Sequence, residues 1–460
     1  MKYISTRNGS KEFNFTEVFI KGLADDGGLF IPKTIPAISE QDLLRLSKLN
    51  YKDLAKEIIF LFCDETIIKD ELSNIVEKSY SKFNEKNVVK ITDIGENKIL
   101  ELYHGPTLAF KDIAMQFIGH LYDHHLKNLK TKINVVVATS GDTGSAAIDA
   151  IKGKDKMNIF VLHPNNKVSS VQRKLMTTVE DKNVFNIAID GNFDDCQNLV
   201  KSMFADNKFS NSIDMSGVNS INWVRIIAQT VYYFFSYFQT CQLNEKINFS
   251  VPTGNFGDVY AGYLSKKMGL PIDKLIVATN QNDILHRAIS NGQYKAHSVV
   301  ETLSPSMDIQ VASNFERLIY DINDQNTDKT SKIMQSIKNE KKYLIEEKEL
   351  KKIRKDFVSE TISEQELLSC IKKVYENYKI IIDPHTAVGL GALKKINLAG
   401  KSVVLSTAHP CKFPEAIKKA INIKSELPDN LNYILSKKEN FIVMNNDIEE
   451  VKKYILNKLI

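Results

Sequence analysis

Short apolar runs rich in β-branched residues alternate with helical stretches from about residue 91 onward, and this alternation constrains the fold most strongly. The runs that we predict to be buried strands are residues 133–139, 159–162, 185–189, 247–251, 275–278 and 403–405. Strands separated by helices predict βαβ units and a mostly parallel sheet that is covered on both faces. Ligands of such sheets bind at the carboxyl ends of the strands. We therefore expect a site in the loops that follow the strands.

The rest of the chain shows two other patterns. Apolar residues recur at helical spacing over residues 42–47, 51–62 and 69–83, which predicts a mainly helical N-terminal unit. Residues 322–356 are rich in Lys, Glu and Asn, and acidic side chains interleave with basic ones. That mixture is typical of a solvated helical pair or insertion and disfavours a nucleic-acid-binding surface.

Composition narrows the class of protein without indicating a chemistry. A chain of 460 residues is expected to form about three units. The formal net charge of +5 is too small to predict a nucleic-acid or membrane partner. The five cysteines are widely spaced and form no C-x-x-C pair, which fits a reducing compartment. The most apolar stretch, residues 231–238, is far shorter than the ~20 residues of a membrane span. We therefore expect a cytoplasmic protein.

Two glycine-rich loops follow predicted strands and precede helical stretches. In ATSGDTGSAA (138–147), the amides of residues 140–143 could bind an anion at a helix N-terminus, and Thr143 could cap that helix. In VPTGNFGDVYAGY (251–263), Gly254 and Gly257 allow a close backbone approach to a phosphate. The second loop lacks the G-K-[ST] of a Walker loop. Each loop alone could also be a simple packing turn.

The segment HGPTLAFKDIAMQF (104–117) places a lysine at the predicted start of a helix. Burial and the positive end of the helix dipole lower the pKa of such an amine, which suits Lys111 to Schiff-base chemistry. Two further patterns carry less weight. His120 and His124 are spaced as metal ligands on one helix face, but no third ligand lies nearby in the sequence. Asp383 and His385 could form a dyad.

The three segments HGPTLAFKD, TSGDTGSAA and PTGNFGD resemble, in order and spacing, the pyridoxal-phosphate enzymes of fold type II, the tryptophan-synthase-β fold. The match is closest to the threonine synthase family. Further segments that carry this resemblance are YISTR, GLADDGGLFIP, VQRKLM, DGNFDDCQ, NSINWVRI, ATNQNDIL, PSMDIQVASNFERL, DPHTAVG and STAHPCKFPEAI. The resemblance extends to about residue 425.

The resemblance implies an α/β fold of two domains, each with a mostly parallel sheet, that flank the cofactor cleft. It also implies an N-terminal helical domain over residues 1–90 and a catalytic region over 91–425. Within that region we expect a smaller subdomain at about 112–215 and a helical insertion at about 321–375. Residues 426–460 would form a C-terminal extension.

The resemblance also implies roles for individual residues. Lys111 would form the Schiff base with pyridoxal 5'-phosphate and later move protons. Thr407 would hydrogen-bond the pyridine nitrogen. The loop expected to hold the cofactor phosphate with its amides consists of Gly254, Asn255, Phe256, Gly257 and Asp258. The residues expected to bind the substrate are Ser140, Gly141, Asp142, Thr143 and Arg225. Which group contacts the 3-oxygen of the cofactor is left open.

The implied reaction converts O-phospho-L-homoserine and water to L-threonine and phosphate, with loss of the γ-phosphate and addition of water at Cβ. The alternative is a phospholyase or dehydratase that releases a 2-oxo acid and ammonia with the same lysine and loops. Candidate ligands of the substrate phosphate are Arg225, Lys412 and Arg7. We expect a monomer or homodimer without a metal ion, a nucleic-acid partner or a membrane partner.

Overall fold

The computed structural model describes residues 1–127 and 129–459. Its strands, in chain order, are β1 (Tyr3–Ser5), β2 (Asn8–Phe13), β3 (Phe30–Pro32), β4 (Lys90–Ile94), β5 (Asn97–Glu101), β6 (Ile133–Ala138), β7 (Met157–Pro164), β8 (Val184–Asp190), β9 (Met215–Ser216), β10 (Ile247–Pro252), β11 (Ile272–Thr279), β12 (Gln293–Lys295), β13 (Lys342–Leu344), β14 (Phe357–Thr361), β15 (Lys401–Ser406) and β16 (Ile442–Asn445).

Helices fill most of the intervening sequence. In chain order they are α1 (Phe15–Lys21), α2 (Glu40–Leu46), α3 (Tyr51–Cys63), α4 (Lys69–Ser79), α5 (Lys111–Leu126), α6 (Asp142–Ile151), α7 (Ser170–Thr177), α8 (Phe193–Ala205), α9 (Asn207–Ser212), α10 (Trp223–Thr240), α11 (Gly257–Lys267), α12 (Ile284–Asn291), α13 (Phe315–Ile322), α14 (Thr327–Glu340), α15 (Glu347–Asp356), α16 (Glu364–Tyr378), α17 (Pro384–Ile396), α18 (Pro414–Ile421) and α19 (Ile448–Leu459). Short 3-10 helices cover Pro305–Met307, Pro410–Lys412 and Asp429–Leu435.

The larger sheet has the spatial order β14-β11-β10-β15-β5-β4. Its neighbouring strands are parallel except for β4 and β5, which pair antiparallel. The predicted strands at 247–251, 275–278 and 403–405 are confirmed as β10, β11 and β15. Their side chains are mostly buried because helices cover both faces, which explains the apolar runs in β11 and β15. In β10 the polar Asn248 and Ser250 are buried among the apolar residues.

The smaller sheet has the order β16-β8-β7-β6-β9, with every neighbouring pair parallel. It contains the other three predicted strands as β6, β7 and β8. Its edge strand β16 comes from the C-terminal part of the chain, and α19 packs beside α8 through the buried Val451 and Ile455. Residues after 425 therefore complete the smaller sheet.

The N-terminal part combines a small antiparallel sheet, β2-β1-β3, with α1 to α4. The predicted helices at 42–47, 51–62 and 69–83 correspond to α2, α3 and α4. The aromatic run at 231–238 lies in α10, whose residues from Trp223 to Tyr237 are all buried. Helix α3 packs on α10, so the most apolar sequence of the chain forms the core between these parts.

Residues 322–356 contain the last residue of α13, followed by α14, β13 and α15, and β14 follows directly as the edge strand of the larger sheet. Throughout residues 1–127 and 129–459, no helix is both long enough and apolar enough to cross a bilayer.

Candidate active site

Neighbouring parallel strands of the larger sheet end at a common edge, where the loops predicted to be functional begin. β10 leads into the glycine-rich loop at 254–258, β15 leads into Thr407, and β5 leads into the segment that ends at Lys111. In the smaller sheet, β6 leads into the loop at 140–143. Hydrogen bonds and ion pairs join these loops, as described below. These loops therefore lie together at the carboxyl ends of the strands, where the strand pattern predicts a site.

Lys111 is the first residue of α5, as predicted from its motif. Its side chain is only 11% exposed, and Nζ donates a hydrogen bond to Oδ2 of Asp142 at 3.2 Å. Burial lowers the pKa of the Lys111 amine, and the nearby Lys412 ammonium lowers it further, although Asp142 opposes both effects. An amine with a lowered pKa is unprotonated more often at neutral pH, as a nucleophile or base requires.

Asp142 connects four side chains beside that amine. Its Oδ1 lies 2.6 Å from Nζ of Lys412 and accepts a hydrogen bond from Nε2 of Gln172 at 2.8 Å. Its Oδ2 accepts from Lys111 and, at 3.5 Å, from Oγ of Ser306. Although burial raises the pKa of the Asp142 carboxyl, Lys111 and Lys412 together hold it well below its usual range. The buried carboxylate is therefore ionised and holds two ammonium groups close together.

Lys412 and Arg7, two candidates for the substrate phosphate, already have protein partners. Lys412 is fully buried, pairs with Asp142 and donates to the carbonyl of Thr107 at 2.8 Å. Arg7 donates from Nε and Nη2 to the two carboxylate oxygens of Glu316, at 2.9 and 2.8 Å. Neither cation needs an exogenous anion to be neutralised.

The loop at 140–143 differs in detail from its prediction. α6 begins at Asp142 with Gly141 as N-cap, so the prediction that Thr143 caps this helix is wrong. Instead, Oγ1 of Thr139 accepts hydrogen bonds from the amides of Gly141 and Gly144, at 2.9 and 2.8 Å. Gly141 has φ +133°, and a Cβ there would lie 2.6 Å from the Gln172 side chain. A side chain at this position would displace the glutamine that orients Asp142.

The loop at 254–258 presents unpaired backbone donors. Phe256, the N-cap of α11, has left-handed backbone angles and no side-chain cap. Within the described residues, the amides of Asn255, Gly257 and Asp258 have no hydrogen-bond acceptor. Gly254 lies against the Ser306 carbonyl, so close that a Cβ would be 2.5 Å from it. Unpaired amides at a helix N-terminus are the donors that a phosphate group takes.

Arg225 and Asp258 lie buried near this loop. Arg225 is 3% exposed, donates from Nη1 to the Val218 carbonyl at 3.2 Å, and has no partner for Nε among the described residues. Burial lowers the pKa of its guanidinium to about 10. Oδ1 of Asp258 accepts hydrogen bonds from two tyrosine hydroxyls, while burial raises the pKa of its carboxyl to about 6. The unmet donor of Arg225 favours an anion in this region.

Thr407 is coupled directly to the segment that carries Lys111. The amide of Phe110, the residue before Lys111, donates to the Thr407 carbonyl at 2.8 Å, and Ala109 forms a β-bridge with Ala408. Thr407 is 6% exposed, and no hydrogen-bond partner is found for its hydroxyl within the described residues. A hydroxyl without a protein partner remains available to a ligand.

Asp383 and His385 form a hydrogen-bonded pair that holds Ser306 in place beside the site. Nδ1 of His385 lies 2.8 Å from Oδ1 of Asp383, and Nε2 accepts the amide hydrogen of Ser306 at 3.2 Å. Nδ1 therefore carries the proton of a neutral imidazole, because Nε2 acts as an acceptor. The pair fixes Ser306, which contacts both Gly254 and Asp142.

Sequence reasoning did not assign roles to Thr139, Gln172 or Ser306. Gln172 and Ser306 lie in VQRKLM and PSMDIQVASNFERL, segments that entered only as part of the resemblance.

His120 and His124 approach the carboxylates of Asp123 and Glu71, at 3.9 and 3.6 Å.

These residues fit pyridoxal 5'-phosphate. The lysine amine is buried and its pKa is lowered, a loop offers unpaired amides without a Cβ at Gly254 or Gly257, and the Thr407 hydroxyl lacks a protein partner. The structure thus supplies an amine for the aldehyde, amides for the phosphate and a neutral hydroxyl for the ring nitrogen.

Comparisons with known proteins agree with this description. Family models match residues 2–80 (threonine synthase N terminus), 100–408 (pyridoxal-phosphate dependent enzyme) and 386–455 (threonine synthase, C-terminal). The chain is 42% identical to threonine synthase of Pseudomonas aeruginosa, covering 99% of this chain and 98% of that protein. It is 43% identical to threonine synthase of Saccharomyces cerevisiae over the same shares of the two chains.

A solved structure is similar over the full length. The crystal structure of pyridoxal-phosphate-bound threonine synthase from Brucella melitensis superimposes with a TM-score of 0.95 at 40% identity, covering 100% of this chain and 99% of that one.

Proposed function

Because the chain belongs to the threonine synthase family of pyridoxal-phosphate-dependent enzymes, we propose that it converts O-phospho-L-homoserine and water to L-threonine and phosphate. The observation that carries the proposal is the buried Lys111, held beside an ionised Asp142 at the edge where the unpaired loop amides lie. The bound cofactor supplies an electron sink for a carbanion at the amino-acid substrate.

The protein residues have distinct parts in this proposal. Lys111 attaches the cofactor and, once released, takes and returns protons at the substrate carbons. The loop of Gly254, Asn255, Phe256, Gly257 and Asp258 holds the cofactor phosphate through its unpaired amides, and Thr407 binds the ring nitrogen. The Phe256 amide is not among them, because it donates to the Gly254 carbonyl at 2.9 Å. The residues that we propose for the substrate are Ser140, Gly141, Asp142, Thr143 and Arg225. Asp142 positions Lys111 and Lys412, and the amides at the start of α6 are available to the substrate carboxylate.

The division into residues 1–90, 91–425 and 426–460 remains part of the proposal. It is supported by the separate N-terminal sheet and by the two sheets of the catalytic region. The segment 426–460 is joined to that region, because its strand β16 forms the edge of the smaller sheet. Cytoplasmic localisation, a monomeric or homodimeric state and the lack of a nucleic-acid partner remain predictions from the sequence.

The reaction is tested with the purified enzyme, pyridoxal phosphate and O-phospho-L-homoserine. We expect inorganic phosphate and L-threonine to appear in equal amounts, measured by a phosphate assay and by amino-acid chromatography. Phosphate accompanied by 2-oxobutyrate and ammonia would contradict the proposal and support a phospholyase. Phosphoserine and phosphothreonine as competitors would then report how narrowly the site selects its substrate.

Arg225 provides a test of the substrate-binding residues. We expect Arg225→Met to raise the KM for O-phospho-L-homoserine by about 10- to 100-fold, the loss typical of a hydrogen bond to a charged group. Stability should not fall, because the buried guanidinium has no ion-pair partner among the described residues. Steady-state kinetics and thermal melting measure both effects.

Arg287→Met is the matched control, since Arg287 of α12 pairs with Asp283, the residue that precedes this helix, outside the loops of the site. It should leave the KM unchanged. A loss of cofactor affinity in Arg225→Met with an unchanged KM would instead place Arg225 at the cofactor.

A further inference from the structure

The loop at 254–258 contains a backbone conformation that its own sequence does not favour. Phe256 has φ +64° and ψ +3°, in the left-handed region, where a Cβ lies too close to the following carbonyl oxygen. Its ring is buried and packs at 5.3 Å from Phe315 and 5.7 Å from Phe357. Packing holds the side chain, but the orientation of the preceding peptide group needs a separate explanation.

Asn314 supplies it. The carbonyl oxygen of Asn255 accepts two hydrogen bonds from this one residue, from the backbone amide at 3.0 Å and from Nδ2 at 3.1 Å. Nδ2 also donates to the Ser220 carbonyl at 3.2 Å and lies 3.2 Å from where a Cβ of Gly257 would be. Asn314 is completely buried. The peptide between Asn255 and Phe256 is therefore held with its carbonyl toward Asn314.

Arg317 determines which way the Asn314 amide faces. Nη1 of Arg317 donates to Oδ1 of Asn314. The other guanidinium donors bond the carbonyls of Phe30 and Ile221, and the guanidinium carbon lies 5.3 Å from the Trp223 ring centroid. A guanidinium has only donors, so the Asn314 oxygen must face it and the Asn314 nitrogen must face the loop.

We propose that Asn314, oriented by Arg317, is a positioning residue that sets the peptide between Asn255 and Phe256 in the conformation that binds the cofactor phosphate. This inference rests on the proposed role of the loop as the phosphate site. If the peptide flipped, the Asn255 carbonyl would join the unpaired amides of Gly257 and Asp258 and would repel a phosphate. The buried Arg317–Asn314–Asn255 connection excludes that flip.

The test compares pyridoxal phosphate with pyridoxal, which lacks the phosphate group. Asn314→Asp keeps the shape of the side chain and its contact with Arg317, but removes the donor to the Asn255 carbonyl. We expect the affinity of the cofactor-free, full-length protein for pyridoxal phosphate to fall by about 5- to 100-fold. The reason is that a carboxylate oxygen then faces and repels the Asn255 carbonyl, which keeps only the backbone amide of Asn314 as a donor. The affinity for pyridoxal should change by less than about 3-fold, which absorbance titration measures for both compounds.

Equal losses for the two compounds, or no loss for either, would overturn the proposal. Asn314→Ala serves the same comparison if the aspartate variant does not fold. Asn248→Asp is a matched control, because Asn248 is equally buried but donates to the Ala399 carbonyl at the opposite end of β10. It should leave the ratio of the two affinities unchanged.

A second control separates this inference from the loop assignment. A Cβ in Gly254→Ala would lie 2.5 Å from the Ser306 carbonyl and must distort the loop. If Gly254→Ala lowers the affinity for pyridoxal phosphate relative to pyridoxal and Asn314→Asp does not, only the proposal for Asn314 is contradicted. If Gly254→Ala also leaves the ratio unchanged, the loop is not the phosphate site and both proposals fail.

Discussion

Replacing Lys111 with alanine should reduce kcat by roughly 10²–10⁴-fold, the contribution typical of a positioned proton-transfer group. The same variant should lose the visible absorbance of lysine-bound cofactor, because no other lysine of the site can take its place. Lys412, the nearest alternative, is fully buried and holds Asp142 and the Thr107 carbonyl. Stopped-time product assays and absorbance spectra measure the two losses.

Lys111→Arg is the informative control. It restores a cation beside Asp142 but cannot form a Schiff base, so it should be as inactive as the alanine variant and more stable. Fluorescence of the single, buried Trp223 reports whether both variants are folded. Activity above about a tenth of wild type in a folded alanine variant would contradict the assigned role of Lys111.

The parts of the fold that were predictable are those with continuous local patterns. β6 and β15 are buried over most of their length, and the apolar runs within them are a local pattern that the sequence shows directly. β10 alternates apolar residues with Asn248 and Ser250, although all six of its residues are buried. β16 was not predicted, because its residues alternate between partly buried and exposed at the edge of a sheet. Its position depends on pairing with β8, which lies more than 250 residues earlier in the chain. No local signal in the sequence indicates such a pairing.

The residues of the site also divide into those that a local sequence pattern indicates and those that depend on contacts with distant residues. Lys111 and the two glycine-rich loops were recognisable because each lies within one short motif of adjacent residues. The helix cap was misassigned because Thr139 and Thr143 are both suitable cap residues, and only the backbone geometry of Gly141 decides between them. Gln172, Ser306 and Asn314 act through contacts with residues 30 to 164 positions away, which no spacing rule reveals.

The buried pair of Lys412 and Asp142 should contribute strongly to stability. Lys412→Met leaves Asp142 buried with Lys111 as its remaining cation, and breaking a buried pair on one side costs about 3–5 kcal/mol of unfolding free energy. Urea denaturation followed by Trp223 fluorescence measures the loss. Lys401→Met removes a partner from the exposed pair with Glu245 and should change stability much less.

The dependence on pH distinguishes this explanation from a simple packing defect. The folded-state pKa of Asp142 lies below its unfolded value, so the stability it contributes is present above the unfolded pKa and is lost as pH falls through about 4 toward the folded pKa. Asp142→Asn should remove that part of the acid sensitivity. The double variant with Lys412→Met should lose less stability than the sum of the two single losses, because neither Asp142 nor Lys412 is then left buried without the other. Additive losses would show that the pair is not coupled.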